Sequence, residues 1–267
     1  MDFCIAFEKE NANKNCSYAG FSFEKQYIIK HFPNEIKKKL IDYQGTLDLV
    51  KIFETVANTD FDKTVLEEIF SLKTGKIPTW RIGEAFGEFF LQENFKVRFW
   101  YNHLRDLRNP NASDAGTDLV GFVDSSGDTL FVFGEVKTSE DQLSPPNVVY
   151  GRTGLRKQID ELCNNERTVG NLIRYLGFKV RGLREDDPFY QDFHRALGVY
   201  IKNKKRMHLF GLLVRDTACN SNDLQKRYDE HEHSTHRDMI IKFIGLYVPI
   251  EMGDWESIVN GGGAAND

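Results

Sequence analysis

From Trp80 to Asn164 the sequence runs through an amphipathic helix, a strand, a pair of strands in a hairpin and a second helix, and this succession constrains the fold most. Arg81 to Asn94 places Ile82, Ala85, Phe86, Phe89 and Phe90 on one stripe, the spacing of a helix with a single buried face. Phe95 to Tyr101 alternates as a strand, and Asn109 to Gly116 is a turn-rich loop. Thr117 to Asp124 and Thr129 to Thr138 read as two strands joined by Ser125-Ser126-Gly127-Asp128, a hairpin turn. Gly154 to Asn164 is helical in pattern, as is Pro188 to Lys202. Met207 to Val214 and Met239 to Val248 read as strands, separated by a polar, His-containing segment. Helices interleaved with strands predict an α/β domain over 76–255, a mixed sheet flanked by helices.

Residues 1–75 carry no legible chemistry and are expected to form an accessory N-terminal lobe. Tyr18 to Phe23 suits a strand, and Asn34 to Ile41, Thr46 to Val56 and Lys63 to Leu72 suit helices. The second of these sets Leu49, Ile52, Phe53 and Val56 on one face. The 21 Phe and 10 Tyr can fill an aromatic-rich core. The segment 256–267, with Gly261-Gly262-Gly263, reads as a flexible tail. No apolar run approaches the roughly 18 residues that span a bilayer, and the start of the chain has no basic stretch before Glu8. A cytoplasmic protein without membrane contact is the expectation. Cys4, Cys16, Cys163 and Cys219 are scattered without a CxxC pair, which points to free thiols rather than structural zinc. A net charge of -5 argues against a protein that coats nucleic acid by bulk electrostatics. It leaves room for a nuclease with local basic patches, and hints that a partner supplies part of the DNA affinity.

The hairpin carries the chemistry. Glu135 and Lys137 are two positions apart in its second strand and so share a face, with Val136 turned the other way. Antiparallel pairing across the turn brings Asp118 opposite them. Two carboxylates and an ammonium then meet at one spot. Mg²⁺ takes oxygen ligands and one or two protein carboxylates, keeping waters and substrate oxygens for the rest. Asp118 and Glu135 are the expected ligands, with the Val136 carbonyl as a third and Mn²⁺ as an alternative ion. Lys137 can orient a water and offset the charge that develops at phosphorus.

Gly116-Thr117-Asp118 followed by Gly134-Glu135-Val136-Lys137 resembles the signature of the PD-(D/E)xK, or restriction-endonuclease-like, nuclease superfamily. The resemblance implies a restriction-endonuclease-like core, Mg²⁺-dependent DNA cleavage, a glutamate on the preceding helix and a glutamine on the following one. Glu84, with Glu88 one turn later as the alternative, and Gln158 stand at those places. Thr117 replaces the usual proline. The region Arg81 to Gln158 is also similar to the HamA family, the nuclease subunits of Hachiman antiphage systems. That similarity implies a superfamily 2 helicase partner and a role as a defence effector.

Basic residues near the hairpin, Arg152, Arg156 and Lys157, are candidates for phosphate contact. Lys179, Arg181 and Arg184, and Lys202 with Lys204, Lys205 and Arg206, are further clusters that equally suit solvated faces. His231, His233 and His236 match no standard zinc spacing and are expected in a solvated loop. Two rivals remain open: a restriction or repair nuclease of the same fold, and a catalytically inactive module that binds nucleic acid or protein.

Overall fold

The computed structural model describes residues 3–41, 76–100, 116–233 and 235–261, with isolated positions between 47 and 65. Much of the expected helices Thr46 to Val56 and Lys63 to Leu72 lies outside the described residues, as do the loop 109–115 and the tail from 262.

Six strands form one sheet in the order β1-β2-β6-β5-β4-β3. β1 (Phe3–Glu10) runs antiparallel to β2 (Cys16–Phe23) at one edge. β3 (Leu119–Ser125) runs antiparallel to β4 (Asp128–Ser139) at the other. Between them β2, β6 (Ile240–Tyr247), β5 (His208–Arg215) and β4 are parallel neighbours. Every residue of β5 is buried, as a parallel strand covered on both faces must be. The sheet is therefore mixed, with helices on both sides.

Alternation along the strands divides the core in two. On one face Val132, Val136, Phe210, Leu212 and Ile244 pack with α1 (Lys25–His31), a π turn at Phe32–Ile36, α2 (Lys37–Leu40) and the long α3 (Thr79–Phe95). On the other, Phe131, Phe133, Leu209, Leu213 and Phe243 meet α4 (Asn147–Tyr150), α5 (Leu155–Asn164), α6 (Glu166–Val180), α7 (Pro188–Lys202) and α8 (Asn222–His231). The short α9 (Trp255–Val259) returns to the first face, where Trp255 and Val259 are wholly buried.

Residues 3–40 of the expected accessory lobe are part of this sheet and core, and much of its remainder lies outside the described residues. β2 pairs with β6 along its whole length, and Phe21, Phe23, Ile28 and Phe32 share one apolar cluster with Phe86 and Trp255. The expected tail likewise begins inside the core, because Ile258 and Val259 are buried. The strand expected over Phe95 to Tyr101 reduces, among the described residues, to a single bridge between Arg98 and Phe122, because α3 continues through Phe95. α6 lies in a stretch without a sequence assignment, although Val169, Ile173, Leu176 and Val180 hold helical spacing and are buried.

The hairpin turn is as tight as the sequence implies. Ser125 pairs with Asp128, and Ser126 and Gly127 both have positive φ (52° and 83°), the turn whose twist matches the flanking strands. At the far end of β4 the buried Arg215 binds Asp223 at 2.6 Å and donates to the carbonyls of Asp141 and Leu143. This pins the chain as it leaves β4. Among the described residues no helix is long and apolar enough to cross a membrane, and the four cysteines are free.

His208, at the start of β5, is buried with neither ring nitrogen hydrogen-bonded. Burial, with a smaller contribution from the charge of Lys242, pushes its pKa from 6.5 down to about 4. The unfolded chain therefore binds this proton more readily than the native one. The neutral ring's contribution is complete above about pH 6.5 and is lost as pH falls towards 4, on the order of 3 kcal/mol at the acid end. Urea unfolding of wild type and His208→Phe across pH 4 to 7 should show the variant with the flatter acid limb; equal slopes would refute this account.

Candidate active site

The register of the hairpin decides what meets what. The last β3–β4 pair is Leu119 with Gly134, so Asp118 stands one step beyond, opposite Glu135. Its side chain reaches across the end of β3, where Oδ2 accepts a hydrogen bond from the Val136 backbone N–H at 2.8 Å. In a strand the N–H and C=O of one residue point to the same side. The Val136 carbonyl therefore faces the Asp118 side as well.

Glu135 and Lys137 emerge together from β4, with Lys137 Nζ in direct contact with Glu135 Oε1. The Glu135 side chain is 2% exposed and that of Lys137 is 23% exposed. The other carboxylate oxygen, Glu135 Oε2, is buried and accepts no hydrogen bond. A buried carboxylate oxygen without a donor is costly.

The opposite side of β4 brings in the helix. A methyl group on Gly83 would lie 2.0 Å from Thr138 Oγ1, and one on Gly87 would lie 3.2 Å from a Val136 methyl. Two glycines one turn apart thus let α3 settle onto β4 at a distance that larger residues forbid. Glu84, next to Gly83, is thereby brought close enough to feel the charges of Asp118, Glu135 and Lys137. Glu88 is held elsewhere, 2.5 Å from the Lys39 ammonium. Of the two glutamates on α3, Glu84 is the one at the cluster.

The electrostatics follow from that crowding. Burial, then the charge of Asp118, raises the pKa of Glu135, and Lys137 only partly offsets this. Burial and Asp118 also raise that of Glu84, with Glu135 adding to it and Arg81 opposing. Burial would lower Lys137, but the charges of Glu135, Asp118 and Glu84 outweigh it and hold the ammonium above its ordinary range. Carboxylates gathered in this way favour a bound cation.

The oxygens fit Mg²⁺ or Mn²⁺ chemically: two carboxylates and a carbonyl, one carboxylate oxygen unpartnered, and no nitrogen or sulfur donor. Among the described residues, though, no three His, Cys, Asp or Glu side chains are arranged as a complete metal cage. A site of this kind suits an ion that keeps much of its water, as Mg²⁺ does.

Gln158, on α5, makes no hydrogen bond to the cluster. Ile159, its neighbour on α5, covers Gly211, the β5 partner of Glu135. Gln158 is half-buried, and its side chain makes no hydrogen bond to described residues. Of the basic trio, Arg152 and Lys157 are exposed, whereas Arg156 lies between Asp160 (3.7 Å) and Glu230 (3.8 Å). Lys204 is paired with Glu166, Arg206 with Asp128 and Arg184 with Asp186. His231 and His236 line one cavity, but among the described residues no three His, Cys, Asp or Glu side chains there could hold a metal ion. His231 is not in a solvated loop but is buried in the last turn of α8, 3.1 Å from Asp160, while His233 is exposed. No known family profile matches the sequence, and no curated protein matches it.

The glycine contact predicts a measurable coupling. Alanine at position 83 would ordinarily add about 1 kcal/mol of helix stability. Here the clash with Thr138 should reverse the sign, with a net loss of about 1–3 kcal/mol. Thr138→Ala in the same chain should recover part of it. A double-mutant cycle by urea unfolding that gave additive effects would sink the contact.

Proposed function

We propose that the chain is a metal-dependent DNA nuclease of the PD-(D/E)xK type, with a restriction-endonuclease-like core and its active site at Asp118, Glu135 and Lys137. The observation that supports it most is the unpartnered, buried Glu135 Oε2 beside Asp118 and Lys137, a constellation that a cation would complete. Asp118 and Glu135 would hold the ion, with the Val136 carbonyl as a third ligand. When bound, Mg²⁺ or Mn²⁺ supplies Lewis-acid polarisation of a phosphate oxygen and acidifies a water.

The chain's own residues do the rest. The Val136 N–H fixes the Asp118 carboxylate in place. Lys137 keeps its proton because three carboxylates surround it. It therefore presents a fixed positive charge to the negative charge that grows at phosphorus. Glu84 adds a carboxylate that can accept hydrogen bonds from water near the ion, and Gln158 would do the same from α5. Arg152 and Lys157, exposed beyond the strand, suit contacts to flanking phosphates.

The similarity to the HamA family supports a further reading, in which this nuclease is the effector of a bacterial antiphage complex with a superfamily 2 helicase. The net charge of -5 agrees with a subunit that draws on its partner for DNA affinity.

Cleavage of supercoiled and linear plasmid with Mg²⁺ and with Mn²⁺, comparing wild type with Glu135→Ala/Lys137→Ala, tests the proposal. Wild type should cut only with metal, and the double variant should lose at least about a hundredfold in rate, the scale of losing one such stabilising group. Equal cutting by both would remove the site. If wild type is inactive alone, calorimetric titration with Mn²⁺ decides. Binding by wild type and not by Asp118→Ala supports a restrained nuclease, and binding by neither supports an inactive module.

A further inference from the structure

We propose that Cys4 and Cys219 form a reversible disulfide, made and broken by exchange with a small-molecule disulfide such as oxidised glutathione. The bridge would tie the edge strand β1 to the loop that follows β5, and it is independent of the nuclease reading above.

Strand register brings the two thiols to one place. Cys4 stands opposite Ser22 in the β1–β2 pair, Ser22 beside Tyr247 in β6, and Tyr247 beside Arg215 in β5. Laterally paired residues turn their side chains to the same face of a sheet. Cys4, Ser22, Tyr247 and Arg215 therefore form a row on the face against which α8 packs. The loop after β5 folds back over this row. Its Asn220 carbonyl accepts a hydrogen bond from the Tyr247 hydroxyl at 3.0 Å, and Asp223, in the first turn of α8, binds both Tyr247 and Arg215. Cys219, next to Asn220, thereby reaches Ser22, whose hydroxyl donates to its sulfur. Both thiols border the same serine.

Their surroundings separate this pair from the other two cysteines. Cys4 is exposed and Cys219 half-buried, whereas Cys16 and Cys163 are buried. Burial pushes both Cys16 and Cys163 up to about 12, which leaves almost no thiolate at neutral pH. Burial also raises Cys219, the Ser22 hydrogen bond opposes this, and the charge of the nearby Cys4 adds to it. Cys4 is thus the thiol that an external disulfide meets first. Cys219 lies in irregular backbone between β5 and α8, where small adjustments are tolerated.

The bridge forms in two exchanges. The Cys4 thiolate attacks one sulfur of oxidised glutathione, forming a mixed disulfide and expelling a glutathione thiolate that takes up the proton Cys4 lost. The Cys219 thiolate then attacks the Cys4 sulfur and expels the second glutathione, which is protonated in turn. Two protein thiols are oxidised while one small disulfide is reduced to two thiols, and excess reduced glutathione drives both steps back. β1 is joined to the sheet only through β2. A covalent tie between segments so distant in the chain also removes much freedom from the unfolded state.

Equilibration of the full chain with oxidised glutathione, then alkylation under denaturing conditions and peptide mass spectrometry, tests the proposal. Wild type should fall from four alkylatable thiols to two, with Cys4 and Cys219 in one disulfide-linked pair of peptides, and dithiothreitol should restore all four. The oxidised chain should need more urea to unfold than the reduced one. Cys219→Ser should stop at a glutathione adduct on Cys4 and lose that shift in urea. Persistence of all four thiols in wild type overturns the proposal. So does a bridge between Cys16 and Cys163, a bridge between two copies of the chain, or wild type that halts at the Cys4 adduct. The wild-type peptide map decides the matter even if the variant fails to fold.

Discussion

The close approach of α3 to β4 is the constraint on which the candidate site depends. Gly83 and Gly87 remove the side chains that would otherwise hold helix and strand apart, and Thr138 and Val136 occupy the space. Helix-to-sheet packing then fixes Glu84 within reach of Glu135 and turns Glu88 away to Lys39. A helix one methyl group farther out would leave the same sequence motif without its third carboxylate. The glycines therefore belong to the site although they carry no chemistry of their own.

What that packing holds together is electrostatically unfavourable. Asp118, Glu135 and Glu84 share a largely dry region with one ammonium, and the pKa values of both glutamates rise in consequence. The Val136 N–H and Lys137 relieve part of the cost, and Glu135 Oε2 keeps the remainder. Much of the rest of the core is apolar, as along Leu209 to Val214 of β5 between two layers of helices. Carboxylates crowded at one end of a strand mark where the molecule departs from stability alone.

The hairpin, the long amphipathic helix and the ExK face were all legible because each depends on a local period or a tight turn. Ser125 to Asp128 dictates the turn, and the turn dictates the register that sets Asp118 against Glu135. The place of β1 and β2 was not legible, because β6, which joins β2 to the sheet, lies more than 200 residues away and nothing local specifies a parallel pairing. The same holds for His231. Its neighbours in sequence are polar, while its burial comes from α8 packing on β6, where it meets Phe243. α6 is hard to read in the sequence for another reason: its exposed rings and cations obscure the buried stripe of Val169, Ile173, Leu176 and Val180.

By itself the sequence determined the class of the fold, the hairpin with its register, and the identity of the residues facing the cluster, since side-chain alternation and turn geometry are properties of a few adjacent peptides. Only the tertiary structure decided that Glu84 rather than Glu88 joins them, that the N-terminal strands complete the same sheet, and that the Asp118 carboxylate is anchored by the Val136 N–H. Those outcomes depend on distances between segments far apart in the chain, and such distances are set by how closely helix and sheet can pack.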